Sequence, residues 1–465
     1  MTDRVFLTTA PKMGVWSVVS DSIMSREKAL ATGSLEVKRS MNLKKFDLQI
    51  FRSAVLVLGA LAKHLAKSGK LTRISSLKLG DLELGRYVAA SALRNVEAQR
   101  SKVTLYFRLI ESLLRSIFVH AAAVRLSDKV SSIFLGNVYY LDGIWIDFFL
   151  RQPHVTVYLE LDPHGLVCVN REFPNLSALQ EYLAGHDRNT EEKVTQAKTY
   201  MARRLKRPAE AIWYYSESNQ PLDTKLDLKP SKVAIVVYAH SFTDAQFSFG
   251  PDGFLGVYDW LSFTLKELKE RDDIDVYVKA HPNFFGTTSA SGIAEMDRRL
   301  WNRLASEMKS FGFNVVDAAI PNSVFLSNFD TSQTVLISHH GNALVEGAFL
   351  GFRCLASRSG PWYEFYSFLD VYNSVATYKE MLANVKIYAR TSSQSEFQSC
   401  LRYIERFYLN PHGSLGHKYH LNLISGETGL PVKELIKDPF TDLRLLVKDT
   451  RRLREEICSA IDVVD

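Results

Sequence analysis

Strand-like and helix-like segments alternate along most of this chain, and the alternation predicts an α/β protein in which helices cover a largely parallel sheet. Two further observations shape that expectation. One polar stretch holding two prolines, SESNQPLDTKLDLKPSK (216–232), interrupts the alternation, which restarts after it. At 465 residues the chain is also too long for one ordinary core and suits two or three domains. The expected architecture is two doubly wound halves, residues 1–225 and 226–405, with a ligand in the cleft between them. Residues 406–465 are expected to be helices that pack across both halves.

The N-terminal half opens with FDLQIFRSAVLVLGALAKHLAKSG (46–69), whose apolar residues recur at helical spacing and which ends on a capping glycine. VTLYFRLIESLLRSIFVHAAAVRL (103–126) predicts a second long helix. SSIFLGN (131–137) and HVTVYLEL (154–161) are short, apolar and rich in β-formers, so they predict buried strands. YYLDGIWIDFFLRQ lies between them as a turn and a helix, and NTEEKVTQAKTYMARRLKR (189–207) predicts a charged, exposed helix.

The second half is more regular. The strand VAIVVYAHSF (233–242) precedes the amphipathic helix VYDWLSFTLKELKER (257–271). The strand DVYVKAHP leads to the helix IAEMDRRLWNRLASEMKSFG and the strand FNVVDA. TVLISHHGN (334–342) is a strand and turn that feeds the helix ALVEGAFLG and the strand FRCLAS. This succession of βα units predicts a doubly wound domain, and the chain beyond about Leu401 continues in helical pattern.

Composition narrows the function classes. Hydrophobic residues at 46% and charged residues at 23% are ordinary for a globular protein. A formal charge of +6 suits an anionic small substrate or an anionic membrane surface and is too weak to argue for nucleic acid. Cys168, Cys354, Cys400 and Cys458 are widely spaced without a CxxC pair, which predicts a reduced compartment and no cysteine zinc site. MTDRVFLTTAPKMG does not read as a signal peptide. The longest apolar run, AVLVLGALA (54–62), is far below the roughly 20 residues of a spanning helix, so a soluble, cytoplasmic protein is expected.

The chemistry concentrates where three strands of the second half end. YAHSFTDA supplies His240, Ser241, Thr243 and Asp244; VKAHPN supplies Lys279, His281 and Asn283; SHHGNALVEG supplies Ser338, His339, His340, Gly341, Asn342 and Glu346. One histidine at a strand end is ordinarily a satisfied structural residue, but three such ends on one side of a sheet are better explained as a site. Gly341 permits a positive φ or a close backbone approach before a helix whose free N–H groups attract anions. With Lys279 and His281 that helix start would hold a diphosphate or phosphodiester, and Glu346 would accept hydrogen bonds from ribose hydroxyls or else be a plain helix charge.

A metal is the competing reading of the histidines. His339 and His340 are adjacent, so on a strand they point to opposite faces, and neither HxxxH nor HExxH occurs. No metal and no cofactor is therefore expected. In the first half Asp142, in YYLDGIW, is either an Asp-Gly turn or a general base reaching the cleft; Asp81, in LGDLELGRY, is a weaker candidate of the same kind. The basic runs RRLKR (203–207) and RRLR (451–454) are solvated faces or contacts to anionic lipid.

AHSFTDA, YDWLSFTL, VKAHPN and SHHGNALVEGAFLG together resemble the C-terminal half of bacterial surface-polysaccharide glycosyltransferases of the GT-B fold. That group includes capsule and lipopolysaccharide enzymes, among them Kdo and polysialic acid transferases that use CMP-sugars. The resemblance covers about 233–363; in the first half it extends only to LGDLELGRY and YYLDG. It implies two Rossmann-like domains with an interdomain cleft and C-terminal helices. It implies that His281 and Pro282, with Lys279 and Asn283 beside them, contact the donor phosphate, and that Ser338, His340, Gly341, Asn342 and Glu346 hold the nucleotide. His281 is then the catalytic histidine, and Asp142 or Asp244 the base.

The function expected is metal-independent transfer of a sugar, CMP-linked by the closest analogy, to a bacterial surface glycan or glycolipid. The donor is a substrate, no nucleic acid takes part, and peripheral contact with the inner face of the cytoplasmic membrane accompanies the reaction. Two alternatives stay open on the same scaffold: a polyol-phosphate transferase of CDP-glycerol type, in which His281 and His340 act on phosphorus, and a non-catalytic nucleotide- or glycan-binding protein.

Overall fold

The structure, a computed structural model, describes residues 5–6, 48–68, 71–127, 132–135, 140–161, 165–169, 191–206, 228, 230–243, 247, 250–281, 284, 293–318, 320–360 and 366–405. The N-terminal half contains β1 (Val5–Phe6), α1 (Leu48–Ser68), α2 (Leu84–Leu93), α3 (Val96–Arg100), α4 (Lys102–Ser127), β2 (Ser132–Leu135), α5 (Gly143–Phe149), β3 (Thr156–Leu161), β4 (Gly165–Val169) and α6 (Glu191–Lys206). The second half contains β5 (Val233–Tyr238), α7 (Val257–Lys269), β6 (Ile274–Lys279), α8 (Ile293–Ser310), β7 (Asn314–Val316), α9 (Asn322–Leu326), β8 (Thr334–Ser338), α10 (Asn342–Phe349), β9 (Arg353–Ser357), β10 (Leu369–Tyr372), α11 (Val375–Ala383) and α12 (Gln394–Ile404).

β5 to β10 form a six-stranded sheet in the order β10-β9-β8-β5-β6-β7, every neighbouring pair parallel. This is the doubly wound order, and it reverses direction between β5 and β8. The composition of β5 follows from its central place. Ala234, Val236 and Tyr238 point into one apolar layer, and Ile235 and Val237 into the other, so both faces are buried and VAIVVY reads as a continuous apolar run. One layer is completed by Trp260 and Leu261 of α7, Leu300 and Trp301 of α8, and Tyr378 and Leu382 of α11. The other takes Leu344 and Val345 of α10 and Leu401 and Ile404 of α12. α10 approaches β8 so closely that a Cβ on Gly347 would lie 2.1 Å from Leu336 Cδ1, and only glycine allows that packing.

Three elements that follow β9 in this half were not anticipated. β10 adds an edge strand, and α11 and α12 follow it with side-chain caps, Ser374 accepting from the Thr377 amide and Ser393 forming a capping box with Glu396. Both helix starts are readable as serine caps once the edge strand is known.

The described residues of the N-terminal half do not repeat the all-parallel sheet of the second half. They include a four-stranded sheet, β1-β2-β3-β4, in which β3 and β4 are antiparallel. Only 162–164 separate those two strands, too short a span for the crossover that parallel pairing needs, so the chain turns back as a hairpin. Helices α2, α4 and α5 build the rest of the half around Tyr87, Leu109 and Phe149. α1 also revises the run-length argument. Arg52, Ser53 and Lys63 punctuate its apolar residues, yet Leu48–Lys67 is long and apolar enough to cross a membrane by length and composition.

Candidate functional site

The register of the sheet assembles the site. Tyr238 of β5 pairs with Lys279 of β6 on one side and with Ser338 of β8 on the other. Two residues beyond each of these come His240, His281 and His340, so three histidines stand in one row at the carboxyl edge, across the reversal of strand order. The His240 ring lies 3.9 Å from that of His340 and 5.2 Å from that of His281, centroid to centroid.

Burial sets their charge. His340 is held well below the ordinary imidazole pKa by burial first, then by His240, His339 and His281 around it. His281 is half-buried and is also held well below, by loss of hydration and by the neighbouring His240 and Lys279. Both rings are therefore neutral at neutral pH and present one N–H and one lone pair each.

A fourth histidine carries a carboxylate into the row. His339 Nε2 lies 2.9 Å from Asp252 Oδ2, and the Nδ1 atoms of His339 and His340 are 2.6 Å apart. Asp252 is fully buried and accepts further hydrogen bonds from Ser357 Oγ at 2.5 Å and from the Phe254 amide at 3.1 Å. Burial alone would raise its pKa; the adjacent His339 and the hydrogen bonds from His339, Ser357 and Phe254 outweigh that and lower it. Ser359 Oγ also reaches His339 Nε2, at 3.3 Å, and the Trp260 ring packs edge-on against His339. At the other end of this hydrogen-bonded run, Nε2 of His340 is buried and has no hydrogen-bond partner among the described residues. The opposite-face expectation for His339 and His340 fails for a simple reason: β8 ends at Ser338, so strand alternation no longer governs the pair.

Other residues anticipated for the site are engaged elsewhere. Lys279 is buried, its ammonium donating to the carbonyls of Asp317 and Ala318 at 3.3 and 3.4 Å. Burial pushes its pKa down to about 8, against the pull of Glu346 and Asp317. Glu346 Oε1 accepts from Arg204 Nε at 2.8 Å and Oε2 from Asn322 Nδ2 at 3.0 Å, while Tyr238 OH donates to Asn322 Oδ1 at 2.6 Å. Both oxygens expected to meet ribose thus bind protein groups. Ser338 Oγ donates toward the carbonyls of Tyr238 and His340. Ser241 and Thr243 bind Asp297 of α8, which makes them anchors of the loop after β5.

Gly341 has φ 157° and precedes α10, whose first residue, Asn342, is exposed. Asp244, Pro282 and Asn283 lie outside the described residues, as does the side chain of Asp142. The turn that carries Asp142 is nonetheless tied to the site. Tyr140, at φ 56° with Arg94 stacked 4.2 Å over its ring, donates from its OH to the Thr243 carbonyl at 3.1 Å. Gln99 Nε2 donates to the neighbouring Phe242 carbonyl at 2.5 Å. Asp81 is exposed and lies within 3.9 Å of Arg151.

Asp252 was not anticipated. Its one signal is local, an Asp-Gly turn in GPDG before α7, where Gly253 takes φ 95°. Among the described residues no group of three or more His, Cys, Asp or Glu is arranged to hold a metal ion. No protein-family model matches this chain, and no curated protein matches its sequence. The plain statement the fold supports is an α/β protein whose six-stranded parallel sheet, of Rossmann-like kind, carries a polar site at its switch point.

Proposed function

We propose that the protein is a glycosyltransferase of the GT-B class that takes a sugar from a nucleotide-sugar and moves it to a hydroxyl of a bacterial surface glycan or glycolipid. The observation that carries this reading is the row His240, His281 and His340 at the strand-order reversal, beside the start of α10. A neutral imidazole such as His281 offers an N–H group to a departing phosphate, and the dipole of a helix start favours the same charge. The tie from Tyr140 to Thr243 supports an acceptor side in the N-terminal half, since it holds the Asp142 turn against the loop that follows β5.

A thermal-shift panel of CMP, CDP, UDP and GDP tests the binding step. The preferred nucleotide at about 100 times its dissociation constant should add about 2.7 kcal/mol, and the others much less. His281→Ala should remove turnover and leave the melting temperature nearly unchanged; full activity in that variant would refute the assignment. A product with phosphate in its new linkage would identify a polyol-phosphate transferase, and nucleotide binding without donor consumption a non-catalytic binder.

Contact with an anionic membrane belongs to the same reading. α4 exposes Val103, Tyr106, Phe107, Ile110 and Leu114 at helical spacing, with Lys102 and Arg108 exposed beside them. Sedimentation with vesicles should show binding that rises with the anionic lipid fraction and falls with salt.

A further inference from the structure

Asp252, His339 and His340 form a buried chain whose tautomers follow from its donors. A carboxylate only accepts, so His339 Nε2 carries the hydrogen that faces Asp252 Oδ2 at 2.9 Å. In the neutral ring, Nδ1 of His339 then accepts, and the hydrogen in the 2.6 Å contact between the two Nδ1 atoms belongs to His340. Nε2 of His340 is left with a bare lone pair, and among the described residues no group donates to it. His340 is 7% exposed, and its ring sits between His339 and His240 in the row that faces the proposed donor site.

We propose that Nε2 of His340 is the general base that takes the proton of the acceptor hydroxyl, with His339 and Asp252 as positioning residues that fix its tautomer. The proposal rests on the reading above that the acceptor is a hydroxyl. The O–H bond breaks and an N–H bond forms at Nε2, while the acceptor oxygen bonds to the sugar carbon. The carbon–oxygen bond to phosphate breaks with its electron pair leaving on the phosphate oxygen. His340 is then an imidazolium, and its Nδ1 proton shifts toward His339, whose positive charge lies against Asp252. The proton is afterwards lost to solvent or to the departing phosphate. The groups that face His340 are His240, His281 and His339, with Asp252 behind His339 and Lys279 acting on His281.

Asp252→Asn tests the chain sharply because the Phe254 amide, 3.1 Å from Oδ1, requires an acceptor there. The new amide must keep its oxygen at that point and turn its NH2 toward His339. His339 Nε2 then accepts, Nδ1 donates to His340, and His340 Nε2 acquires the hydrogen that makes it useless as a base, as in a triad whose aspartate becomes asparagine.

The full-length chain labelled with 15N-histidine, free of substrate, reports each ring's tautomer by long-range proton–nitrogen correlation, with His340 identified by its loss in His340→Gln. The wild type should show His340 protonated at Nδ1 and bare at Nε2, and Asp252→Asn should reverse this. An Nε2–H tautomer in the wild type, or no reversal in the variant, overturns the proposal. With the nucleotide-sugar that the wild type consumes, Asp252→Asn should lose about 10²–10⁴-fold in kcat at little change in KM, and Asp252→Glu should restore part of it. An unchanged kcat also overturns it. Should Asp252→Asn fail to fold, His339→Gln breaks the chain at its middle and must give the same loss. Absence of any donor consumption by the wild type defeats the transferase reading, whereas the spectrum judges the chain by itself.

Discussion

Two polar networks stand side by side at one edge of the six-stranded sheet, and they end differently. The first runs from Arg204 through Glu346 and Asn322 to Tyr238, and each of its carboxylate oxygens meets a donor. The second runs from Asp252 through His339 to His340 and stops at a nitrogen that has no partner among the described residues. The first ties α6 to α10 and holds an arrangement; the second, ending on a bare lone pair, is able to exchange a proton. Buried polar atoms normally find partners, so an unmatched one at the switch point of a parallel sheet marks chemistry more than architecture.

The largest effect that tests this contrast is in the first network. Arg204 is 3% exposed, and Arg204→Ala leaves Glu346 partly buried without its cation. Denaturant unfolding should show a loss of about 3–5 kcal/mol, the usual cost of removing one partner from a buried pair. The shift produced by the preferred nucleotide should persist in conditions where the variant is folded. A variant of full stability that no longer responds to nucleotide would reverse the roles of the two networks and return Glu346 to the ribose.

Asp252→Asn should cost less in stability, about 1–3 kcal/mol, because Ser357 and Phe254 still find an acceptor or donor in the amide. Its large effect falls on turnover. The ratio of lost stability to lost activity therefore has opposite sense in the two networks, and similar ratios would erase the distinction.

Acid should act first on the row of histidines. His281 and His340 have folded-state pKa values below the ordinary value of about 6.5, so the unfolded chain binds more protons than the native one as pH falls. Stability is thus fully present above about pH 6.5 and declines as pH drops below it toward the folded values. Asp252, whose pKa is lowered, contributes in a separate window below the ordinary carboxylate value. Melting temperatures between pH 7.5 and 5.5 should fall, and His281→Asn should flatten the slope; an equal slope in that variant would show that its burial is not what sets the acid limit.

Much of the second half was legible from sequence because its strands are buried on both faces and its strand ends turn abruptly polar. YAHSF, VKAHP and SHHGN were visible as one side of a sheet, but not as one row. That row depends on β5 pairing with β8 across a long stretch of chain, and local pattern carries no such information. The direction of Lys279 was hidden for a related reason. Its carbonyl partners belong to the residues that follow β7, and shared parity with His281 says which face the ammonium leaves from, not where it ends. Asp252 escaped because Asp-Gly turns are common, and nothing near it signals a histidine that lies far along the chain. The hairpin of β3 and β4 was missed since GLVCV is short and begins only a few residues after its partner.

The smallest expected effect sharpens the contrast by taking the same charges out of the interior. Lys379 of α11 reaches Glu267 of α7 at 3.3 Å, with the lysine side chain 63% exposed. Water screens this pair, and holding two long side chains in one geometry costs entropy, so Lys379→Ala should change stability by less than about 1 kcal/mol. The loss should shrink further in high salt, whereas the loss in Arg204→Ala should hardly depend on salt. Measured together by urea unfolding at two ionic strengths, the two variants separate charge pairing in general from pairing inside the sheet edge. A cost for Lys379→Ala as large as that for Arg204→Ala would mean that burial is not what gives the Arg204–Glu346 network its weight.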